Sequence, residues 1–351
     1  MSHPRLDPSD LLDLPPLTAE RFASVERKVA ALLSTGHDVV ITQGEALLPL
    51  EGCVRSAARP GSTALNVITG PYGETFGGWL RDAGARVVDL AVPYDTAVGA
   101  EQVAAALAEH PEIDFVSLVH AEAATGNTNP VAEIGAAVRA HGALFMLDAV
   151  ASVAAEPLLP EEWGVDLCVI GGQKAMGGPA GVSAVAVSER AWQRMADNPA
   201  APRRSYLSLL DWKERWIDTG RRALPHAPAQ LEMLALDACL DRLAAEGLPA
   251  VMDRHRAVAA AAREGVGRLG LAPYVTETRH AAPVATTVRT PEGVHAGELA
   301  ARALESDPGL PLSGSPGPLA ASMLRINHYG SAADPSVLAR TLSALEQALR
   351  G

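Results

Sequence analysis

Seven short apolar runs, separated by amphipathic stretches, restrict this 351-residue chain to a layered α/β fold more firmly than any other feature. The runs are residues 38–42 (DVVIT), 63–69 (TALNVIT), 86–92 (RVVDLAV), 115–119 (FVSLV), 144–147 (LFML), 166–170 (DLCVI) and 183–187 (SAVAV). Strands this apolar have no polar face to offer water. They must be covered on both sides, as parallel strands crossed over by helices are. Helical patterns fall among them at about 46–58, from 70 to about 83, at 100–110 and at 131–141. In such a sheet a ligand binds at the carboxyl ends of the strands.

The pattern changes near residue 199. Residues 199–224 are irregular and rich in Arg, Trp and Pro, and a long helical pattern covers about 229–269. Strands near 284–289 and 323–327, with helices near 295–304 and 335–349, then describe a smaller α+β unit. The expected division is a large α/β domain over residues 1–240 and a small C-terminal α+β domain over 241–351. Apolar residues at 48% are enough for cores of that size. A net charge of −12 speaks against nucleic acid or an acidic membrane as partner, since both call for a basic face. Cys53, Cys168 and Cys239 are odd in number and set among apolar residues, as buried thiols of a reducing compartment are. The opening MSHPRLDPSD has no cationic start followed by an apolar run, and no stretch is apolar for long enough to span a bilayer. The cytoplasm is the expected location.

The densest chemistry lies in residues 145–181, FMLDAVASVAAEPLLPEEWGVDLCVIGGQKAMGGPAG. One apolar strand delivers Asp148 at its end, and the next delivers Gly171-Gly172-Gln173-Lys174. A lysine among small residues at a strand end is placed to act as an amine nucleophile. An acid on the neighbouring strand end could keep a pyridine nitrogen protonated and so make the ring an electron sink. On spacing alone, a Lys174–Asp148 salt bridge accounts for the pair as well.

The motif detail goes further. The strings DAVASV and DLCVIGGQKAMGGPAG closely resemble the class V aminotransferases of fold type I, the alanine–glyoxylate and serine–pyruvate group, and the resemblance runs over residues 20–350. It implies a pyridoxal-type enzyme with a large α/β domain and a small α+β domain. By that resemblance Lys174 is the Schiff-base lysine, Asp148 the partner of the pyridine nitrogen, and Val150 the residue on one ring face. Gln173 matches the residue beside the lysine that contacts the phosphate. Tyr72, in GPYG, matches the aromatic stacked on the other ring face. Arg325, in MLRI, matches the small-domain arginine that grips the substrate carboxylate, a task suited to a bidentate guanidinium. The run HAEAATGNTN aligns with the family's H-x-E-S/T-x-T/S-G loop near the ring hydroxyl, with Ala123 in place of the usual hydroxyl residue. The family also implies a dimer, or a dimer of dimers, because it builds its site across a subunit interface.

The family's phosphate cup follows the first strand and is rich in Gly, Ser and Thr. Here it reads Gln43-Gly44-Glu45-Ala46-Leu47. Two unit charges about 4 Å apart at an effective dielectric near 20 repel by roughly 4 kcal/mol, which disfavours a phosphate beside Glu45 by several hundredfold. An acid in the first turn of a helix is also favourable in its own right, pointing to water. Other phosphate ligands change too: in ALPHAP, residues 223–228, Ala223 and His226 stand where the partner subunit of the family carries Tyr and Thr. The chain is similar, through ITQGEALLPLEG, NVITGPYGETFGGW, VPYD, SERAW and NPAAPRRSYLSLLDW, to the branch of the family that takes the unphosphorylated vitamer as substrate. In that branch a glutamate at the position of Glu45 excludes the phosphate. Two departures bear on the keto acid. The second arginine of the branch is replaced within Ser313-Gly314-Ser315-Pro316, and its N-terminal T-x-G-P segment has no counterpart before Leu6.

The expected reaction is exchange of an amino group between free pyridoxamine and pyruvate, giving pyridoxal and L-alanine. Pyridoxal and pyridoxamine are then substrates, with no tightly bound cofactor. The alternatives are a pyridoxal 5'-phosphate-dependent alanine or serine aminotransferase acting with glyoxylate or pyruvate, and a vitamer-binding protein without catalysis. A lyase of the cysteine desulfurase kind needs a cysteine on a mobile loop, and all three cysteines fall in element-like contexts.

Overall fold

The computed structural model describes residues 8–315 and 317–350; Leu6 and Pro316 lie outside them. The chain runs α1 (Ala19–Leu32), β1 (Asp38–Gln43), α2 (Leu47–Ala57), β2 (Thr63–Ile68), α3 (Pro71–Asp82), β3 (Arg86–Ala91), α4 (Ala100–Glu109) and β4 (Ile113–Val119). A small hairpin of β5 (Ala121–Glu122) and β6 (Asn127–Thr128) follows, then α5 (Val131–His141), β7 (Leu144–Asp148), α6 (Pro160–Trp163), β8 (Leu167–Gly171), β9 (Val182–Val187) and α7 (Glu189–Ala196). The large sheet has the order β1-β9-β8-β7-β4-β2-β3. Pairing is parallel from β3 through β8. β9 returns antiparallel between β8 and β1, so β1 points the same way as the parallel set. The mostly parallel sheet expected from the apolar runs is present, and β2, β7, β8 and β9 are buried along their whole length.

The remainder comprises α8 (Leu209–Trp212) running into a π-helical turn over Lys213–Ile217, α9 (Gln230–Glu246), α10 (Leu248–Arg268), β10 (Ala272–Pro273), β11 (Thr286–Arg289), α11 (Ala296–Leu304), β12 (Leu312–Gly314), β13 (Met323–Ile326) and α12 (Pro335–Arg350). β10 to β13 form an antiparallel sheet of order β10-β11-β13-β12. Two large apolar cores result, beside two small clusters. The larger gathers Phe22, Ile41, Leu65, Phe115, Phe145 and Val251, and the smaller gathers Val258, Ala262, Leu324 and Leu345. Helix α10 contributes to both.

Three features depart from the sequence reading. The helical pattern over 229–269 is two helices, because Gly247 sits at φ +85° and leaves the right-handed course. The irregular stretch 199–224 contains the short turns at 209–217. Helix α1 had gone unread, although Thr18 caps it by accepting from the Arg21 amide at 3.2 Å. Cys53, Cys168 and Cys239 are buried free thiols. Among the described residues no helix is long and apolar enough to cross a membrane.

Candidate active site

The strands that point the same way all end at one edge of the large sheet, and the polar residues collect there. β1 runs into Gly44 and Glu45, β2 into Thr69, Gly70 and the start of α3, β4 into His120 and Glu122, β7 into Asp148, and β8 into Gln173 and Lys174. Lys174 lies in the loop that turns the chain from β8 back into β9, and its Nζ stands 5.3 Å from the centre of the Tyr72 ring. Asp148 is 6% exposed, and its Oδ1 accepts from the Val150 amide at 2.9 Å. Burial raises the Asp148 carboxyl above its ordinary range; the Lys174 charge and that amide pull it back.

Tyr72 joins the two halves of the site. Burial raises its phenol most; the negative charges of Asp148, Glu122 and Glu45 add to this, and Arg325 opposes it. These charged groups therefore lie within electrostatic reach of the Tyr72 ring. Arg325 does so from β13. One guanidinium nitrogen donates to Ser313 Oγ at 3.2 Å and another to the Ala123 carbonyl at 3.5 Å. Its Nε is buried without a partner, and burial lowers its affinity for its proton. An arginine held in this way has donor capacity left for a carboxylate.

Glu45 does not simply point to water. Its Oε2 accepts from the Leu47 amide at 2.9 Å, in the first turn of α2, and its Oε1 accepts from Gln173 Nε2 at 2.7 Å. A helix start is an anion site because its first amides lack partners. Here the carboxylate of Glu45 takes one such amide together with the side-chain amide of Gln173. Asp148, the Tyr72 ring and Lys174 present an acid, an aromatic face and an amine, groups that suit a pyridine ring carrying an aldehyde. The Leu47 amide and the Gln173 side-chain amide are thus both engaged by a carboxylate.

His226 is placed elsewhere within its own chain. It packs against Tyr206 at 4.8 Å and edge-on to Trp212 at 5.2 Å, and its Nδ1 lies 3.3 Å from the Ala227 carbonyl. Glu122, by contrast, belongs to the site and had not been singled out. It is 0% exposed, on β5, and its Oε1 accepts the amides of Tyr72 and Gly73 at 3.2 and 3.3 Å. The signal was present in HAEAATGNTN: an acid between alanines in a short buried hairpin has no solvent to turn to. The same hairpin is tied to the β2 end, with Asn129 donating to Thr69 Oγ1 at 2.9 Å and Asn127 to the Thr69 carbonyl at 2.7 Å.

The chain is similar to known proteins over nearly its whole length. The family model described as "Aminotransferase class-V" matches residues 17–326. Pyridoxamine–pyruvate transaminase of Mesorhizobium japonicum is 36% identical over 339 residues, which is 97% of this chain and 86% of that protein. Among solved structures, pyridoxamine–pyruvate aminotransferase from Mesorhizobium loti superposes with a TM-score of 0.90 at 34% identity, covering 98% of this chain and 89% of that one. Alanine–glyoxylate aminotransferase from Nostoc sp. gives 0.88 at 26% identity, covering 98% and 92%. The chain belongs to the class-V aminotransferase family.

Proposed function

We propose that this aminotransferase exchanges an amino group between free pyridoxamine and pyruvate, giving pyridoxal and L-alanine, and takes the vitamer as a substrate. The observation that carries this reading is Glu45, whose carboxylate holds both the Leu47 amide and the Gln173 side chain. Charge repulsion is the smaller part of its effect. Glu45 is exposed in the single chain. In water the roughly 4 kcal/mol of a half-screened pair falls toward about 1 kcal/mol. The engaged donors matter more, since a phosphate would have to displace a bonded carboxylate to reach them.

When bound, the pyridine ring supplies an electron sink for the carbon that loses its proton. The residues of the chain do the rest. Lys174 provides the amine that holds the vitamer's aldehyde and, when released, carries a proton between the two carbons that change character. Asp148 holds the proton on the ring nitrogen, while Tyr72 and Val150 enclose the ring. Glu45 accepts a hydrogen bond from the free hydroxymethyl group, with Gln173 steadying it. Arg325 binds the carboxylate of the keto acid or amino acid. His226 would serve the pocket of a neighbouring copy in a dimer.

Steady-state assays test this. Turnover of pyridoxamine with pyruvate is expected, without turnover of alanine and glyoxylate by protein preloaded with pyridoxal 5'-phosphate. Glu45→Ala frees two donors and is expected to tighten binding of the phosphorylated vitamer by about tenfold or more. An unchanged preference between vitamers in that variant would sink the reading. The exposure of Glu45 favours the second reading, a pyridoxal 5'-phosphate-dependent alanine–glyoxylate type, and the reverse pattern of turnover would establish it. Binding of pyridoxal with no amino exchange would leave a vitamer-binding protein.

A further inference from the structure

Glu122 has no part in the scheme above, yet it is the most completely buried acid at the site. Its Oε1 takes two amides from the first turn of α3, and its Oε2 is buried with no partner. No cation among the described residues touches it. Four elements bring titratable groups toward it: Tyr72 at the start of α3, Tyr94 after β3, Asp148 at the end of β7 and Lys174 after β8. Glu45, after β1, adds its charge to the field at Asp148 and Tyr72, and Arg325 bonds the carbonyl of the next residue, Ala123. Glu122 and Asp148 thus share one lysine.

We propose that Glu122 is a positioning residue that works as a neutral carboxyl, pinning the first turn of α3 and the Tyr72 ring without setting a second negative charge beside Asp148 and Lys174. Geometry favours the neutral form. An ionised Oε2 would be a buried anionic oxygen with no protein donor, which costs several kcal/mol and outweighs the pull of the two amides on Oε1 toward the charged form. A proton on Oε2 replaces that cost with the smaller one of an unpaired neutral hydroxyl and leaves Oε1 to accept both amides. Burial pushes the Glu122 carboxyl up to about 8, with Asp148 adding to the rise, in agreement with the geometry. Approach is close as well: a Cβ at Gly70 would collide with the Glu122 carboxyl, so residue 70 must be glycine for the acid to sit there. If Glu122 were charged, it would favour the ammonium form of Lys174, which cannot attack a carbonyl.

The proposal rests on the reading that Lys174 is the attaching amine and Tyr72 the stacking ring. It is tested by absorbance titration of covalent attachment at Lys174, run in parallel with pyridoxal and with pyridoxal 5'-phosphate. Glu122→Ala is expected to weaken attachment about tenfold or more at neutral pH, and Glu122→Gln to restore it to within about threefold. The ratio of wild-type to Glu122→Gln affinity cancels the titration of Lys174 and of the vitamer. It should be flat below about pH 7 and fall about tenfold per pH unit above about pH 8. A ratio that stays flat overturns the proposal, as does a Gln variant as weak as the Ala variant. Infrared spectroscopy of the unmodified protein gives a reading that does not depend on either variant folding. The carbonyl stretch of a protonated acid should persist above about pH 7 and vanish as the pH passes about 8, and its absence refutes the neutral form. Attachment of only the phosphorylated vitamer would defeat the reading of Glu45 while still reporting on Glu122, and attachment of neither would defeat both.

Discussion

Arg325 keeps its charge where burial opposes it, with Nε unpartnered and its other nitrogens on neutral oxygens. A site that holds a guanidinium in this way gains most when a carboxylate arrives, because charge-assisted hydrogen bonds are each worth about 1.5–3 kcal/mol. Arg325→Ala is therefore expected to raise the KM for pyruvate by one to two orders of magnitude, with attachment of pyridoxal at Lys174 changed by less than about threefold. Arg325→Lys should recover only part of the loss, since an ammonium cannot form the planar fork. A collapse of kcat at constant KM would rule out the carboxylate role. The places of Lys174, Asp148 and Glu45 at strand ends could be read from the apolar runs they follow, whereas the roles given to them came from the resemblance to the family and not from position. What Glu45 bonds to was not legible: the partner, Gln173, is 128 residues away. Glu122 was missed for the opposite reason, because its neighbours are alanines and its role depends on amides brought from α3.

Elements of the large sheet were read within a residue or two, since fully apolar strands announce themselves by composition. Helix ends were read less well where one residue decides them, as Gly247 does between α9 and α10. Contacts between helices were not readable at all. Gly135 in α5 shows why. A Cβ there would run into the backbone carbonyl of Trp163, at the end of α6. Alanine in mid-helix gains about 0.5–1 kcal/mol over glycine, whereas overpacking a tight contact costs about 1–3 kcal/mol. The carbonyl belongs to the backbone and cannot swing aside as a side chain would, so the cost should prevail. Gly135→Ala is expected to lower the melting temperature by a few degrees. A rise would mean that α5 and α6 can separate freely.

At the scale of the whole molecule, the charge state of the interior could not be read from the sequence, because it depends on burial. Burial lowers His120 and His328 to about 4, so the fold keeps both neutral. Burial also raises Glu122 to about 8, and it raises Glu156, which is half-buried at the wall of a cavity and held by the Thr128 hydroxyl, to about 7. The signs oppose. Below about pH 6.5 the unfolded chain takes up protons that the buried histidines refuse, so their contribution is lost as pH falls from 6.5 toward 4. The two glutamates hold protons that the unfolded chain releases above about 4.5; their contribution is complete below that pH and lost as pH rises through 7 and 8. Between about 4.5 and 6.5 the two pairs offset each other. Above 6.5 the histidines are neutral in both states and, of these four groups, only the glutamates act; the raised buried thiols of Cys53 and Cys168 add to the same direction toward pH 8.5. The melting temperature of the ligand-free protein should therefore fall from about pH 6.5 to about pH 8.5, and Glu122→Gln should make that fall shallower. A melting temperature that rises over the same interval would mean that both acids are already ionised in the fold.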